Sequence, residues 1–355
     1  MDVSVIIPVY NSEKSINRVV KCFCEQINTQ DISYEILLIN DGSTDNSLQI
    51  CKELKTAYAN VKVFTQENKG PSAARNVGIK NASGEKIMFC DADDFVESDA
   101  LSYLSSEFLE NDLLIYGLFD EYYDINHQLI TSKEWSNRRK EYTSSMSFLE
   151  DFHVLVDNNL LYSQCTKMYR KKIIDENGIL FDESLTMGED VSFNLAYFPF
   201  VNRATIVPKL IYHYVHELNS QSISTPYFPG YFQNVTDVYY KKCEMLKRMQ
   251  AFTKENQLSI DNFFVGRISS ALQNELLNTK NNTKALKLSA IREIITSEIA
   301  VHVLQTSKST RRFYVILEKY IREKNAKAIL RLFNLLKFMK TSNLGIVKKI
   351  RSKLS

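Results

Sequence analysis

Lys86-Ile87-Met88-Phe89-Cys90-Asp91-Ala92-Asp93-Asp94 is the stretch on which the fold turns. A short apolar run ends abruptly in three carboxylates. Such a run, bounded by polar residues, reads as a buried strand. In an extended segment residues i and i+2 point the same way, so Asp91 and Asp93 share a face. Two neighbouring carboxylates repel unless a cation or a proton lies between them. Hard oxygen ligands suit Mg²⁺ or Mn²⁺, ions that commonly also hold substrate phosphates. The competing reading is helix capping, which Asp94 can perform for a helix starting near Ser98.

Upstream, strand and helix patterns alternate. Residues 3–9 are apolar and end at Pro8 and Asn11. Ile16, Val19, Val20, Phe23 and Ile27 recur at helical spacing. Residues 35–40 form a second buried strand, and Asp41-Gly42-Ser43 a turn. Asp45 or Ser43 then caps a helix over 46–58. A third strand over 61–65 and a helix over 72–81 precede the Lys86 strand. This order predicts an α/β fold with a mostly parallel sheet flanked by helices and joined by right-handed crossovers. Ligands of such sheets bind beyond the carboxyl ends of the strands. Tyr10-Asn11, Asp41 and the Asp91–Asp94 cluster all fall on that edge.

No Walker loop or GxGxxG is present, so a phosphate cradle must be built otherwise. Asn68-Lys69-Gly70-Pro71-Ser72-Ala73-Ala74-Arg75-Asn76 is the alternative. Pro71 suits the first helical position, and Lys69 and Arg75 bring positive charge to a helix N-terminus. Arg75 can pair with the aspartates or with a phosphate, or be a plain surface residue.

Composition is that of a globular chain: 355 residues, 44% hydrophobic and 24% charged. No apolar run is long enough to span a bilayer, and the N-terminus opens as a strand rather than a signal peptide. Six cysteines without CxxC spacing read as reduced thiols of a cytosolic protein. The net charge of +2 hides a division. Residues 1–225 carry −13, residues 226–355 carry +15, and the last 45 residues alone carry +11. We therefore expect two regions, an α/β domain over 1–225 and a helical domain over 226–355. Phe232, Val235, Val238, Tyr239 and then Phe263, Phe264, Ile268, Leu272, Leu276 give helical stripes in the second. Residues 329–340 mix Leu and Phe with Lys and Arg. That pattern suits a basic amphipathic helix at an anionic membrane, an ordinary bundle helix, or a dimer contact. No aromatic-basic motif supports nucleic-acid binding.

Six stretches in order resemble family-2 glycosyltransferases, which have the GT-A fold. They are Val3 to Asn11, Asp41 to Asp45, Asn68 to Asn76, Asp91 to Asp94, Lys167-Met168-Tyr169-Arg170 and Gly188-Glu189-Asp190. The likeness is strongest to bacterial enzymes of capsule, exopolysaccharide and teichoic acid synthesis. It implies an inverting, metal-dependent transfer of a sugar from a UDP-sugar to a saccharide acceptor, which relatives often carry on a lipid. Pro8, Val9 and Tyr10 would line the nucleobase pocket, and Asp41 would accept from uracil N3–H. Asn68, Lys69 and Arg75 would contact the nucleotide. Asp91, Ala92 and Asp93 would serve the ribose and diphosphate, with Asp93 and Asp91 holding Mn²⁺ or Mg²⁺. Asp190, in the first turn of a helix, would be the general base; a favourable pairing with the helix dipole is its alternative. Lys167, Glu189 and Arg170 are candidates for acceptor or phosphate contacts. Cys165 stands where relatives often have an aromatic.

Tyr212 to Ser220 resembles the segment that closes over the diphosphate. It lacks the usual arginine, so His213 or His216 is expected to contact a phosphate or become a third metal ligand. Residues 212–222 are expected to be mobile without nucleotide, although alternating Tyr212 and Tyr214 equally suit a strand. Donor-reading residues are expected in a loop over 116–139. The rival functions are a nucleotidyltransferase, which would carry a glycine-rich loop after strand one, and a non-catalytic nucleotide-sugar scaffold. The enzyme is expected at the cytoplasmic face of the cell membrane.

Overall fold

The computed structural model describes residues 1–217, 227–278 and 283–341. The chain divides into two compact units: Met1–Ile223 with Arg248–Ala251, and Ser224–Lys247 with Phe252–Ser355.

In the first unit β1 (Val3–Val9), α1 (Ile16–Cys24), β2 (Tyr34–Asp41), α2 (Ser47–Ala57), β3 (Val61–Gln66), α3 (Pro71–Asn81) and β4 (Lys86–Phe89) follow the expected alternation. Then come β5 (Phe95–Val96), α4 (Ala100–Phe108), β6 (Leu113–Tyr123), β7 (Leu129–Trp135), β8 (Lys140–Tyr142), α5 (Ser145–Glu150) and α6 (Phe152–Asp157). The unit ends with β9 (Lys167–Arg170), α7 (Lys171–Glu176), α8 (Glu189–Tyr197) and β10 (Ala204–Glu217). The sheet runs β3-β2-β1-β4-β9-β6-β10-β5, with β7 on β6 and β8 on β10. Pairs β1–β2, β2–β3, β1–β4 and β6–β10 are parallel, whereas β9 runs antiparallel to both β4 and β6.

The sequence explains these choices. Val3, Val5, Ile6, Ile7 and Val9 are fully buried, as a strand covered by helices on both faces requires. Ile16, Val19, Val20 and Phe23 form the buried stripe of α1. Ile27 lies past the end of that helix and is exposed. Asp45 accepts from the Ser47 amide at 2.9 Å, closing the start of α2. Register brings Val9 level with Asn40, and Asp41 level with Gln66, so the carboxyl ends of β1, β2 and β3 meet at one edge.

Three expectations change here. Asp94 caps no helix; α4 begins at Ala100, and Asp94 is fully buried elsewhere. The expected loop over 116–139 is largely the β6–β7 hairpin, which pairs Leu118 with Trp135. Residues Tyr212–Glu217, expected as part of a closing segment, are strand, paired with β6 up to Tyr123. The remainder of that expected segment lies outside the described residues.

The second unit contains α9 (Tyr231–Arg248), α10 (Lys254–Leu277), α11 (Lys284–Thr296), α12 (Glu298–Thr306), α13 (Arg312–Arg322) and α14 (Ala326–Thr341). Thr253, Thr283 and Ser297 cap α10, α11 and α12 through their hydroxyls. Val235, Tyr239, Phe264, Ile268 and Leu272 of the expected stripes are buried. In α14 Ile329, Leu330 and Phe333 are buried too, and Phe333 meets the Phe313 ring edge-on at 6.0 Å. Leu335, on the same helix, is exposed. Among the described residues no helix is long and apolar enough to cross a membrane.

Candidate active site

The aspartate turn is held from behind by β10. The Asp91 amide donates to the Tyr212 hydroxyl at 3.1 Å, and that hydroxyl donates in turn to Asp94. The other Asp94 oxygen accepts from the Val215 amide at 2.8 Å, and the Asp94 amide closes onto the Asp91 carbonyl at 3.2 Å. Burial, with Asp91 and Asp93 nearby, pushes the Asp94 carboxyl up. Asp93 points outward, and its carbonyl accepts from Arg18 at 2.5 Å. The Asp93 carboxyl is pushed up by the low-polarity walls around it and by Asp91.

Arg75 lies at the centre of the site. Its Nη2 donates to Asp91 Oδ1 at 2.8 Å, and its Nη1 lies 3.6 Å from Asp190 Oδ1. The guanidinium is nearly fully buried, covers the Phe181 ring at 5.4 Å, and keeps its proton more firmly still because Asp91 and Asp190 are beside it. Nη1 forms no hydrogen bond, so one buried donor of Arg75 is left facing Asp190. α3 can bury such a residue because its neighbours on the buried side are mostly small or polar: Ser72, Ala73, Ala74, Asn76 and Gly78, with Ile79 the larger one. Asn76 accepts from the Phe181 amide at 2.8 Å and donates to the Phe181 carbonyl at 2.9 Å, which fixes the segment leading to α8.

Asp190 lies in the first turn of α8. Gly188 before it has φ +82°, a left-handed backbone that favours glycine, and so turns the chain into the helix at this point. The Asp190 side chain is 28% exposed. Burial raises its carboxyl to about 7 against the opposing pull of Arg75, with Glu189 and Asp91 adding to the rise.

Asp41 organises the loop opposite. Oδ1 accepts from Gln66 Nε2 at 2.7 Å and the Lys69 amide at 2.9 Å, and Oδ2 accepts from the Gly70 amide at 2.8 Å. A carboxylate offers about four acceptor positions, so one remains, on Oδ2. The next residue, Gly42, has φ +67°, and a Cβ there would lie 2.7 Å from the Asn68 nitrogen. A side chain at 42 would therefore push the Asn68 loop away.

Residues 4–178 match the family model described as Glycosyl transferase family 2. The chain is 31% identical to the uncharacterized glycosyltransferase EpsJ of Bacillus subtilis (strain 168), over 68% of each. This chain belongs to glycosyltransferase family 2. It is also 28% identical to the poly(ribitol-phosphate) beta-N-acetylglucosaminyltransferase TarS of Staphylococcus aureus, over 64% of this chain and 38% of TarS. It thus spans under half of that relative's length. The crystal structure of S. aureus TarS 1-349 in complex with UDP-GlcNAc superposes with a TM-score of 0.66 at 23% identity, covering 95% of this chain and 92% of that one. At that identity the likeness establishes the fold, the GT-A arrangement of sheet and helices.

Several residues singled out in this glycosyltransferase stand elsewhere than expected. His213 is stacked between Phe95 and Phe119, at 4.1 and 4.6 Å. Its ring nitrogens face Glu121 at 3.2 Å and Glu97 at 3.0 Å. His216 stacks on Tyr122 and meets Asp120 at 2.8 Å. Both imidazoles are thus engaged within the β6–β10 region and are not ligands beside Asp93. Lys167 is fully buried, and its ammonium donates to the carbonyls of Leu160 and Ser163. Burial lowers it to about 7, so it braces the turn before β9 instead of holding phosphate. Arg170 donates to the carbonyls of Asn111 and Leu109 and is likewise structural. Val9 is fully buried and can offer a nucleobase only its backbone, whereas Pro8 is half-buried and Tyr10 exposed. Ala92 is buried; Asn68 and Lys69 are exposed on their loop, and Glu189 is half-buried beside Asp190. Tyr212, Asp94, Asn76 and Gln164 are the site residues that reading the sequence did not assign.

Proposed function

We propose that this family-2 glycosyltransferase moves a sugar from a UDP-sugar to a hydroxyl of a saccharide acceptor with inversion, in bacterial surface-glycan assembly. The observation that carries the reading is the single guanidinium of Arg75 that spans Asp91 and Asp190. It joins the turn fitted to a diphosphate to a carboxylate fitted to take a proton. In the reaction the acceptor oxygen bonds to the anomeric carbon as the bond from that carbon to the diphosphate breaks. The hydroxyl proton passes to Asp190, and UDP leaves. A base near pH 7 in strength suits this step, because it is ionised yet basic at the operating pH. One displacement inverts the centre, so no second nucleophilic carboxylate is needed.

The donor base is read as uracil because the remaining acceptor position of Asp41 matches an N3–H donor. Pro8, half-buried near the end of β1, and the exposed Tyr10 just past it are the side chains offered to the base. The surface-glycan role draws on the printed activities of the relatives, among them TarS.

The donor set also fits a divalent cation: Asp93 is an outward carboxylate crowded by a like charge, which a hard cation relieves. Among the described residues no three His, Cys, Asp or Glu side chains converge on one cation position. Asp93, helped by Asp91, would therefore hold Mn²⁺ or Mg²⁺ together with the donor's own phosphate oxygens. When bound there it supplies Lewis-acid stabilisation of the charge on the leaving diphosphate. A lipid-linked acceptor brought to an anionic membrane by the basic end of the chain belongs to the same proposal.

The test is a panel of UDP-, GDP- and CDP-sugars with Mn²⁺, read by nucleotide release and by the anomeric coupling of the product. Release from one UDP-sugar well above the GDP and CDP series, with an inverted product, supports the reading. Equal turnover of all nucleotides, or retention, contradicts it.

A further inference from the structure

We infer that Gln164 is a positioning residue for the Asp190 base, an inference that rests on the reading of Asp190 given above. Gln164 opens a single 3-10 turn (Gln164–Thr166), which Ser163 caps by accepting from the Cys165 amide at 3.0 Å. Its side chain is 1% exposed, so its amide must find both donors and acceptors inside the protein. One orientation achieves this. In it the amide nitrogen lies 2.8 Å from Asp190 Oδ2 and 2.9 Å from Oδ1, and the amide oxygen accepts from Arg75 Nη2 at 3.0 Å and Nε at 3.2 Å. The opposite orientation sets oxygen against carboxylate and N–H against guanidinium. Partners of this kind assign the flip.

The consequence is a neutral link between the two charged groups of the site. Arg75 orients the Gln164 carbonyl, and Gln164 presents its amino group to both oxygens of Asp190. That contact fixes the plane of the carboxylate and leaves its outer lone pairs for an incoming proton. It also favours the ionised form, since hydrogen bonds donated to a carboxylate stabilise its charge. The other groups bearing on Asp190 are Arg75 from α3, Glu189 on its own helix, Asp91 from the turn after β4 and Lys167 from β9. Gln164 is the neutral donor among them. A residue of this type cannot take the proton itself; it acts through Asp190.

The experiment compares kcat, donor KM, UDP affinity and the pH profile of kcat for the wild-type chain, Gln164→Met, Gln164→Glu and Asp190→Asn. Gln164→Met keeps the volume and removes both donors. It is expected to lower kcat about ten- to a hundredfold, the size of a lost hydrogen bond to a charged group. Donor KM and UDP affinity stay within about twofold, because the residue touches neither. The acid limb of the profile moves to higher pH, because the ionised carboxylate has lost support. Gln164→Glu keeps the shape and the Arg75 contact but adds a negative charge, and moves the limb in the same direction. It carries the same readout if the Met variant does not fold. An unshifted acid limb in a folded variant overturns the inference, as does a loss of kcat matched by an equal loss of UDP affinity. If Asp190→Asn is inactive while the Gln164 variants keep the wild-type profile, the role of Gln164 alone falls. If Asp190→Asn transfers sugar normally, the reading of the base falls first.

Discussion

Arg75 Nη1 and Asp190 Oδ1 lie 3.6 Å apart, one on α3 and the other at the start of α8, while the same guanidinium bonds Asp91. Removing the cation leaves the Asp91 and Asp190 carboxylates without their shared counter-charge. Breaking such a buried pair costs about 3 kcal/mol or more. We predict that Arg75→Met loses stability on that scale in urea unfolding and lowers transfer at least about a hundredfold. Wild-type stability in that variant would show that the three groups are not coupled.

Tyr212→Phe removes one hydroxyl that both receives the Asp91 amide and donates to Asp94. A buried amide left unpaired costs about 1–3 kcal/mol. The turn carrying Asp93 should loosen, and UDP binding in the presence of Mn²⁺ should weaken by an order of magnitude or so in calorimetry. UDP binding without the metal should change far less. Equal weakening with and without Mn²⁺ would place the effect elsewhere.

Asp41→Asn replaces an acceptor oxygen with a donor amide against the amides of Lys69 and Gly70. Either orientation sets at least one N–H against another. The Asn68 loop should shift, and UDP affinity should fall at least about tenfold, given the lost charge-assisted bonds. Retention of affinity for UDP, together with unchanged discrimination against CDP, would remove Asp41 from the base pocket.

The pH behaviour has a definite sign. Asp190 is raised from the ordinary carboxylate value to about 7, so the native chain holds a proton there that the unfolded chain releases near pH 4. Its contribution to stability is therefore largest in acid and declines as pH rises from about 4 to about 7. The rate moves oppositely, increasing as pH approaches 7 from below, because the base must be ionised. Asp190→Asn should flatten both trends, and above pH 8 it should be at least as stable as the wild type by thermal melting.

What could be read from the sequence follows from what local pattern encodes. β1, β2, β3 and β4 are buried apolar runs, and the stripe of α1 has a helical period, so the alternating half of the sheet was legible. The placement of Asp41 and Asp91 at the carboxyl ends of strands followed from that. The antiparallel insertion of β9 between β4 and β6 was not, because a four-residue strand carries no directional signal. His213 was expected as a phosphate contact or metal ligand because the segment resembling the diphosphate-closing stretch lacks an arginine. Its actual partners, Phe95, Phe119, Glu97 and Glu121, come together only through β5–β10 and β6–β10 pairing. Lys167 was a candidate for an acceptor or phosphate contact because of its charge, and its burial depends on the turn carbonyls around it. Gln164 has no local mark at all: one polar residue before a short strand acquires meaning only from Arg75 and Asp190 across the fold.

The most direct measurement is transfer by Asp190→Asn alongside its affinity for UDP with Mn²⁺. The account predicts a loss of kcat of about a thousandfold or more, with UDP affinity within about threefold of the wild type. Transfer within tenfold of the wild type would contradict it, because the carboxylate that meets Arg75 would then take no proton from the acceptor.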